Sequence, residues 1–252
     1  MVIKTAFITG ATSGIGLATA QAFAKANINL IICGRNKIKL QEFEQEFSSK
    51  IKVTTLCFDV SNNDEVIAAI NNLPNEWKQI DILVNNAGNA HGLSSIENGE
   101  ITDWDLMIDI NVKGLLYVSK AIMPLMVERK AGHIVNISSV AGKYTYQNGA
   151  VYCASKRAVE AISEGMRLDL TQHNIKVTNI APGAVETNFS EVRFKGDKER
   201  ANKVYEGFTP LQPQDIADAI LYAVNAPTHV TIADIVLYAS VQSAPTTIYR
   251  TN

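Results

Sequence analysis

Tyr152 and Lys156 stand four residues apart, so on a helix the phenol and the ammonium share one face. Upstream, the serine pair Ser138 and Ser139 follows the apolar run His133 to Ile137, which reads as a buried strand. A hydroxyl, a phenol and an ammonium would then meet at the carboxyl end of a strand, a set suited to holding an oxygen and passing it a proton. With eight tyrosines in 252 residues, about half a Tyr-x-x-x-Lys pair is expected by chance, so the pair needs support from the rest of the chain.

The elements that would position these groups follow a repeating order. Lys4 to Thr9 reads as a strand, Leu17 to Ala26 as an alanine-rich helix, Leu30 to Cys33 as a strand, Lys37 to Phe47 as a polar helix and Val53 to Phe58 as a strand ending at Asp59. Ser61 with Asp64 resembles a capping box for a helix over Asp64 to Asn71, which Pro74 stops from continuing. Further strands are expected at Ile80 to Val84, His133 to Ile137, Val177 to Ile180 and Ile235 to Ala239. Further helices are expected from about Asp103 to Glu128, kinked near Gly114 and Pro124, from the Tyr152 region to about His173, and over Pro213 to Asn225. The alternation predicts an α/β fold with a parallel sheet. Asn188 to Phe208 is polar and weakly periodic, the character of a mobile lid.

Composition narrows the function classes. Hydrophobic residues make up 46% and charged residues 19%, enough apolar material for one large core. A net charge of −2 and scattered Lys and Arg argue against a nucleic-acid partner and favour a small molecule. Cys33, Cys57 and Cys153 have neither metal nor redox spacing and suit a reducing cytoplasm. The start of the sequence shows no basic leader, and no apolar run approaches the ~18 residues of a membrane span, so neither secretion nor membrane insertion is expected. His91, His133, His173 and His229 show no metal-ligand spacing, and His91, the one that could approach a substrate, is read as an ordinary loop residue.

Gly10, Gly14 and Gly16 fall between the first strand and the first helix, where free N–H groups and the positive helix end favour an anion. Their spacing is Gly-x-x-x-Gly-x-Gly. Thr9 to Gly16 (TGATSGIG), Asn85 to Gly88 (NNAG), Asn111, Ser139, Tyr152 with Lys156, and Pro182 to Thr187 (PGAVET) together resemble the short-chain dehydrogenase/reductase family, in its branch of about 250 residues. The resemblance covers the whole chain in order. It implies a doubly wound, mostly parallel Rossmann-type sheet in three layers, one domain over residues 1–252 with a lid at about 188–208, and hydride transfer involving a nicotinamide at the topological switch point.

The resemblance also implies roles. Cofactor contacts fall at Gly10, Thr12, Ser13, Gly14, Ile15 and Gly16, at Asp59 and Val60, at Asn86, Ala87 and Gly88, and at Pro182, Gly183, Val185 and Thr187, with Tyr152 and Lys156 shared with catalysis. The second strand ends Cys33-Gly34-Arg35-Asn36 with no carboxylate before Glu42, so Arg35 would take a 2′-phosphate without a repelling acid, and the cofactor is NADP(H). Tyr152 would be the acid in ketone reduction and the base in alcohol oxidation. Lowering a phenol from ~10 to near neutrality needs ~4 kcal/mol, which one ammonium at ~4 Å supplies at an effective dielectric of ~20, so Lys156 has the size of effect required. Ser139 would orient the substrate oxygen, and Asn111 would hold a relay water behind Lys156.

The lid sequence around Arg193 and Lys195, with LPNEW at Leu73 to Trp77 and MVER at Met126 to Arg129, looks like a bacterial subgroup of NADP-dependent 3-hydroxy acid dehydrogenases that also oxidise serine and allo-threonine. Arg193 or Lys195 would then pair with a substrate carboxylate. A broad carbonyl or 3-oxoacyl reductase and a catalytically silent NADP-binding regulatory protein are the alternatives. The family also implies a homotetramer built on the helices from about Asp103 and Ala150.

Overall fold

The computed structural model describes residues 4–251. Seven strands form one parallel sheet in the order β3-β2-β1-β4-β5-β6-β7. They are β1 Thr5–Thr9, β2 Asn29–Gly34, β3 Val53–Cys57, β4 Ile82–Asn85, β5 Gly132–Ile137, β6 Ile175–Pro182 and β7 Asp234–Leu237. The helices are α1 Gly14–Lys25, α2 Lys37–Ser48, α3 Asn63–Asn71, α4 Ile101–Ile108, α5 Leu115–Arg129, α6 Val140–Lys143, α7 Ala150–Leu170, α8 Phe189–Arg193, α9 Lys198–Lys203 and α10 Pro213–Val224.

Alternate strand residues feed two cores. Phe7, Ile31, Leu83, Ile134 and Val177 meet α3, α5 and α7 on one face, while Ile8, Leu30, Ile32, Val84 and Val135 meet α1, α2 and α10 on the other. Because both faces are covered, the central strands read as unbroken apolar runs rather than alternating ones. Each fully buried large side chain contributes about 1.5–3 kcal/mol, so these runs, and not helix propensity, hold the layers together. Ala18, Ala22 and Ala217 let α1 and α10 approach closely on their side.

Ile101 to Arg129 runs as one 29-residue helical stretch, long and apolar enough by length and composition to cross a membrane, contrary to the sequence expectation. Its buried row of Leu115, Val118, Ile122 and Met126 lies in the core of the sheet, which accounts for the apolar character. Kinks were expected near Gly114 and Pro124; the irregularity is a π-helical turn over Asp109–Gly114. Gly114 closes that turn against Val60, whose Cγ2 lies 2.8 Å from where a Cβ would stand.

The start of α3 also differs from expectation. Asn62, not Ser61, is the cap, its side chain accepting the Asp64 and Glu65 N–H groups, because Ser61 is engaged with Asp59. The segment expected as an irregular lid holds two short helices, α8 and α9, separated by Lys195 and Gly196 in left-handed conformation. The four-residue α6, capped by Ser139, had no periodic signal.

Candidate active site

The carboxyl ends of β1 and β4, where the strand order reverses, are tied together by Thr9 and Asn86. Thr9 Oγ1 accepts the backbone N–H groups of Asn86 and Ala87 at 2.9 Å each, and Asn86 Nδ2 donates to the Thr9 and Gly10 carbonyls. Under this clamp the glycine turn is shaped for close approach. Gly10 and Gly14 take φ of +64° and +53°, and a Cβ on Gly16 would stand 2.3 Å from the Gly10 carbonyl oxygen. At the start of α1, Ser13 makes no side-chain cap and no acidic residue occupies the first turn, so its N–H groups face outward as anion donors. Thr12 packs beneath Gly34, Ile15 is partly buried in the core, and Thr187 lies against Gly14.

Arg35 extends from the tip of β2 with its side chain 70% exposed. The expectation that it meets no acid is corrected: Asp59, from the end of β3, places a carboxylate oxygen 3.4 Å from Arg35 Nη1. Burial pushes the Asp59 carboxyl up, but its bonds from Ser61 and the nearby Arg35 outweigh this and hold it below the usual range. An exposed pair at this distance is weak, so most of the guanidinium's donors remain for an anion.

Ser139, Tyr152 and Lys156 converge beside this cradle. The two serines differ, since Ser138 Oγ donates to the Lys156 carbonyl at 3.2 Å and is buried, whereas Ser139 approaches the Tyr152 phenol, accepts the Ala141 N–H as the cap of α6 and donates to the Pro182 carbonyl at 3.4 Å. Lys156 Nζ donates to the Ile137 carbonyl at 3.0 Å, and burial lowers its pKa to about 8 against the raising influence of Glu160. Tyr152 does not follow the charge arithmetic. Burial first, then the Tyr146 phenol, push it far above its ordinary value, and Ser139 and Arg193 only partly offset this. The Lys156 ammonium, expected to lower it, donates to the Ile137 carbonyl.

Asn111 is 2% exposed at the centre of the π turn. Both of its side-chain donors are taken, by the Asn89 carbonyl at 2.8 Å and Ser155 Oγ at 3.0 Å, and its Oδ1 accepts the Asn89 N–H at 2.8 Å. On the side chain, that leaves only the second lone pair of Oδ1 for a relay water. Asn111 Oδ1 and Lys156 Nζ flank Gly88, each within 3.3 Å of where a Cβ would stand. On the β6 side, Gly183 donates to the Leu237 carbonyl, Val185 bridges to Leu211, and Thr187 Oγ1 accepts the Phe189 N–H.

A family profile described as short chain dehydrogenase matches residues 4–198. The chain belongs to the short-chain dehydrogenase family. It is similar to the NADP-dependent 3-hydroxy acid dehydrogenase YdfG of Salmonella typhi, 42% identical over 237 residues that cover 94% of this chain and 95% of that one. A Schizosaccharomyces pombe NADP-dependent 3-hydroxy acid dehydrogenase is 39% identical, covering 98% and 96%. Among solved structures, the closed form of serine dehydrogenase complexed with NADP+ matches with a TM-score of 0.92 at 38% identity, covering 98% of this chain and all of that one. Serine dehydrogenase from Escherichia coli gives 0.82 at 35% identity, covering 95% and 99%.

In this short-chain dehydrogenase α8 sets Arg193 over the Tyr152 ring, and the turn after it pairs Lys195 with Asp103. Arg193 Nη2 donates to the Tyr146 hydroxyl at 2.6 Å, while Lys195 Nζ pairs with Asp103 at 2.9 Å. Lys195, the other candidate for a substrate carboxylate, has its ammonium paired with the buried Asp103. Trp104 and Met107 line the same cleft as Tyr152 and Arg193, Tyr146 joins it through its bond from Arg193, and His91 lines it too. Sequence reading missed the first three. Tyr146 lies in an irregular segment, and Trp104 and Met107 read as ordinary apolar positions of a helix.

Proposed function

We propose that this short-chain dehydrogenase is an NADP(H)-dependent oxidoreductase acting on a CH–OH group of a small hydroxy compound or its ketone, with 3-hydroxy acids of the serine or allo-threonine type as the substrate class. The observation that carries this reading is one cleft that presents the Tyr152 phenol, next to Ser139, and the Arg193 guanidinium: one end suits an oxygen under reaction, the other a carboxylate. The relatives and the serine dehydrogenase structures named above support the same cofactor and substrate class.

The cradle fits a dinucleotide, because Gly10, Gly14 and Gly16 leave room where side chains would block a diphosphate. Gly10 to Gly16 would hold the diphosphate, Arg35 the 2′-phosphate, Asp59 and Val60 the adenine, and Asn86 to Gly88 and Pro182 to Thr187 the nicotinamide half. When bound, the nicotinamide supplies or accepts the hydride. Ser139 orients the substrate oxygen, Tyr152 gives it a proton in reduction and recovers the proton in oxidation, and Lys156 holds a charge behind them below about pH 8. Asn111 keeps the Asn89 loop in place beside Lys156.

The domain reading is a single nucleotide-binding unit with a lid over residues 188–208. A homotetramer is supported by Leu106, Leu116 and Leu168, exposed on the outer sides of α4, α5 and α7; light scattering at micromolar concentration would give four chain masses. Three free cysteines suit a cytoplasmic setting. The decisive assay follows NADP reduction with 3-hydroxy acids, serine stereoisomers and uncharged alcohols, and repeats it with NAD. Equal turnover of charged and uncharged substrates would favour a broad carbonyl reductase, and NADPH binding without turnover a silent regulatory protein.

A further inference from the structure

Among the contacts between residues 188–208 and the rest of the chain, one cluster joins Arg193 and Lys195 to Gly92 and Asp103. Gly92 N–H donates to the Arg193 carbonyl at 2.9 Å, and Arg193 Nε donates back to the Gly92 carbonyl at 3.4 Å. Beside them Lys195 Nζ lies 2.9 Å from Asp103 Oδ2, and the Asp103 side chain is only 10% exposed against 56% for Lys195. The same Oδ2 stands 2.9 Å from where a Cβ on Gly92 would be, and Gly92 takes a left-handed φ of +67°, so this loop passes over the carboxylate at a distance only glycine permits. Lys195 also takes a left-handed φ, +55°, unusual for a residue with a side chain, and that turn aims its ammonium back at α4. Arg193, two residues earlier, is thereby set with its guanidinium over both the Tyr146 and Tyr152 rings.

We propose that Asp103 is a positioning residue: its ion pair with Lys195 clasps the lid to α4 and so fixes Arg193 above Tyr152, where it meets the substrate carboxylate. The inference rests on the reading of Arg193 as the carboxylate's partner. Opening the lid would leave the Asp103 carboxylate, 10% exposed, without its cation, so the clasp favours the closed lid, and what it controls is the placement of Arg193, not the proton transfer.

The test uses the NADP-loaded enzyme and four variants, Asp103→Asn, Lys195→Met, the double variant and Lys195→Arg, with 3-hydroxypropionate and 2-propanol as substrates. Expected is a three- to tenfold rise in KM for 3-hydroxypropionate in each neutralised single variant, kcat within twofold, and no change for 2-propanol. The double variant should be no worse than either single one, and Lys195→Arg should keep the wild-type KM. Trypsin should cut the lid of NADP-loaded Asp103→Asn several times faster than that of the wild type. Unchanged KM in both single variants, or effects that multiply in the double variant, would overturn the proposal. Should Arg193→Ala prove unselective for acids, the carboxylate reading fails on its own, and the clasp is then judged by proteolysis: equal lid cleavage in Asp103→Asn and wild type overturns it. Lys195→Met reads the clasp from the exposed side if Asp103→Asn folds poorly.

Discussion

The Arg193 guanidinium carbon lies 5.3 Å from the centre of the Tyr152 ring, so the lid's cation and the site's proton donor share one wall of the cleft. A carboxylate on Arg193 would stand a few bonds from an oxygen at Tyr152, the spacing of a short hydroxy acid. A charge-assisted bond of this kind contributes about 1.5–3 kcal/mol, so Arg193→Ala should raise KM for 3-hydroxy acids about 10- to 150-fold and leave uncharged alcohols nearly unaffected. Equal losses on both substrate types would remove the anchor.

Tyr152 is buried, and that burial favours its protonated form. Tyr152→Phe deletes only the hydroxyl and should lower kcat by at least the ~10²- to 10⁴-fold worth of general acid–base catalysis, while NADPH titration by fluorescence shows binding intact. A variant that kept full turnover would refute the mechanism.

Arg35 should decide between the two nicotinamide cofactors. Losing a charged phosphate contact, Arg35→Ala is expected to raise KM for NADPH about 10- to 100-fold with little effect on NADH. Since Asp59 already shares Arg35, the measured loss should fall nearer the lower end. Parallel changes for both cofactors would show that Arg35 does not read the 2′-phosphate.

His133 supplies an acid-sensitive element away from the site. Thr178 donates its one hydroxyl proton to the Ile232 carbonyl at 2.7 Å, so it must accept from His133 Nε2, also at 2.7 Å, which places a ring proton on Nε2. Burial, with Lys176 and Lys4 adding to it, lowers its pKa from 6.5 to about 4. The unfolded chain therefore binds the extra proton first as pH falls from 6.5, and the stability present above that pH is lost down to about 4, by at most ~3 kcal/mol. In urea titrations at a series of pH values, His133→Gln, which keeps a donor at the same place, should flatten this part of the curve. An unchanged slope would assign the acid limb elsewhere.

Much of this architecture was readable in the residues because two-sided burial writes strands as apolar runs and a diphosphate cradle demands glycine. Ser139 could be preferred to Ser138, a choice the Ser138 bond to the Lys156 carbonyl is consistent with. What escaped reading depends on tertiary approach. Asp59 reaches Arg35 from a neighbouring strand, and Asp103 pairs with Lys195 far along the chain, so neither pair leaves a local pattern. Lys156 turns to the Ile137 carbonyl, and the burial of Tyr152 then outweighs the charges around it, which sequence distance cannot reveal. The helices α8 and α9 are too short to show a period.

The π turn over Asp109–Gly114 makes the long helix a phase shifter. One extra residue in a helical turn advances everything before it by about 100° relative to everything after it, so α4 and α5 need not present the same side to the sheet. Removing one residue there would leave α5 seated by Leu115, Val118, Ile122 and Met126 and swing the preceding segment around the axis. Asn111, Met107 and Asp103 would rotate away together, uncoupling the Asn89 loop, the cleft wall and the lid contact in a single event while the sheet stayed intact.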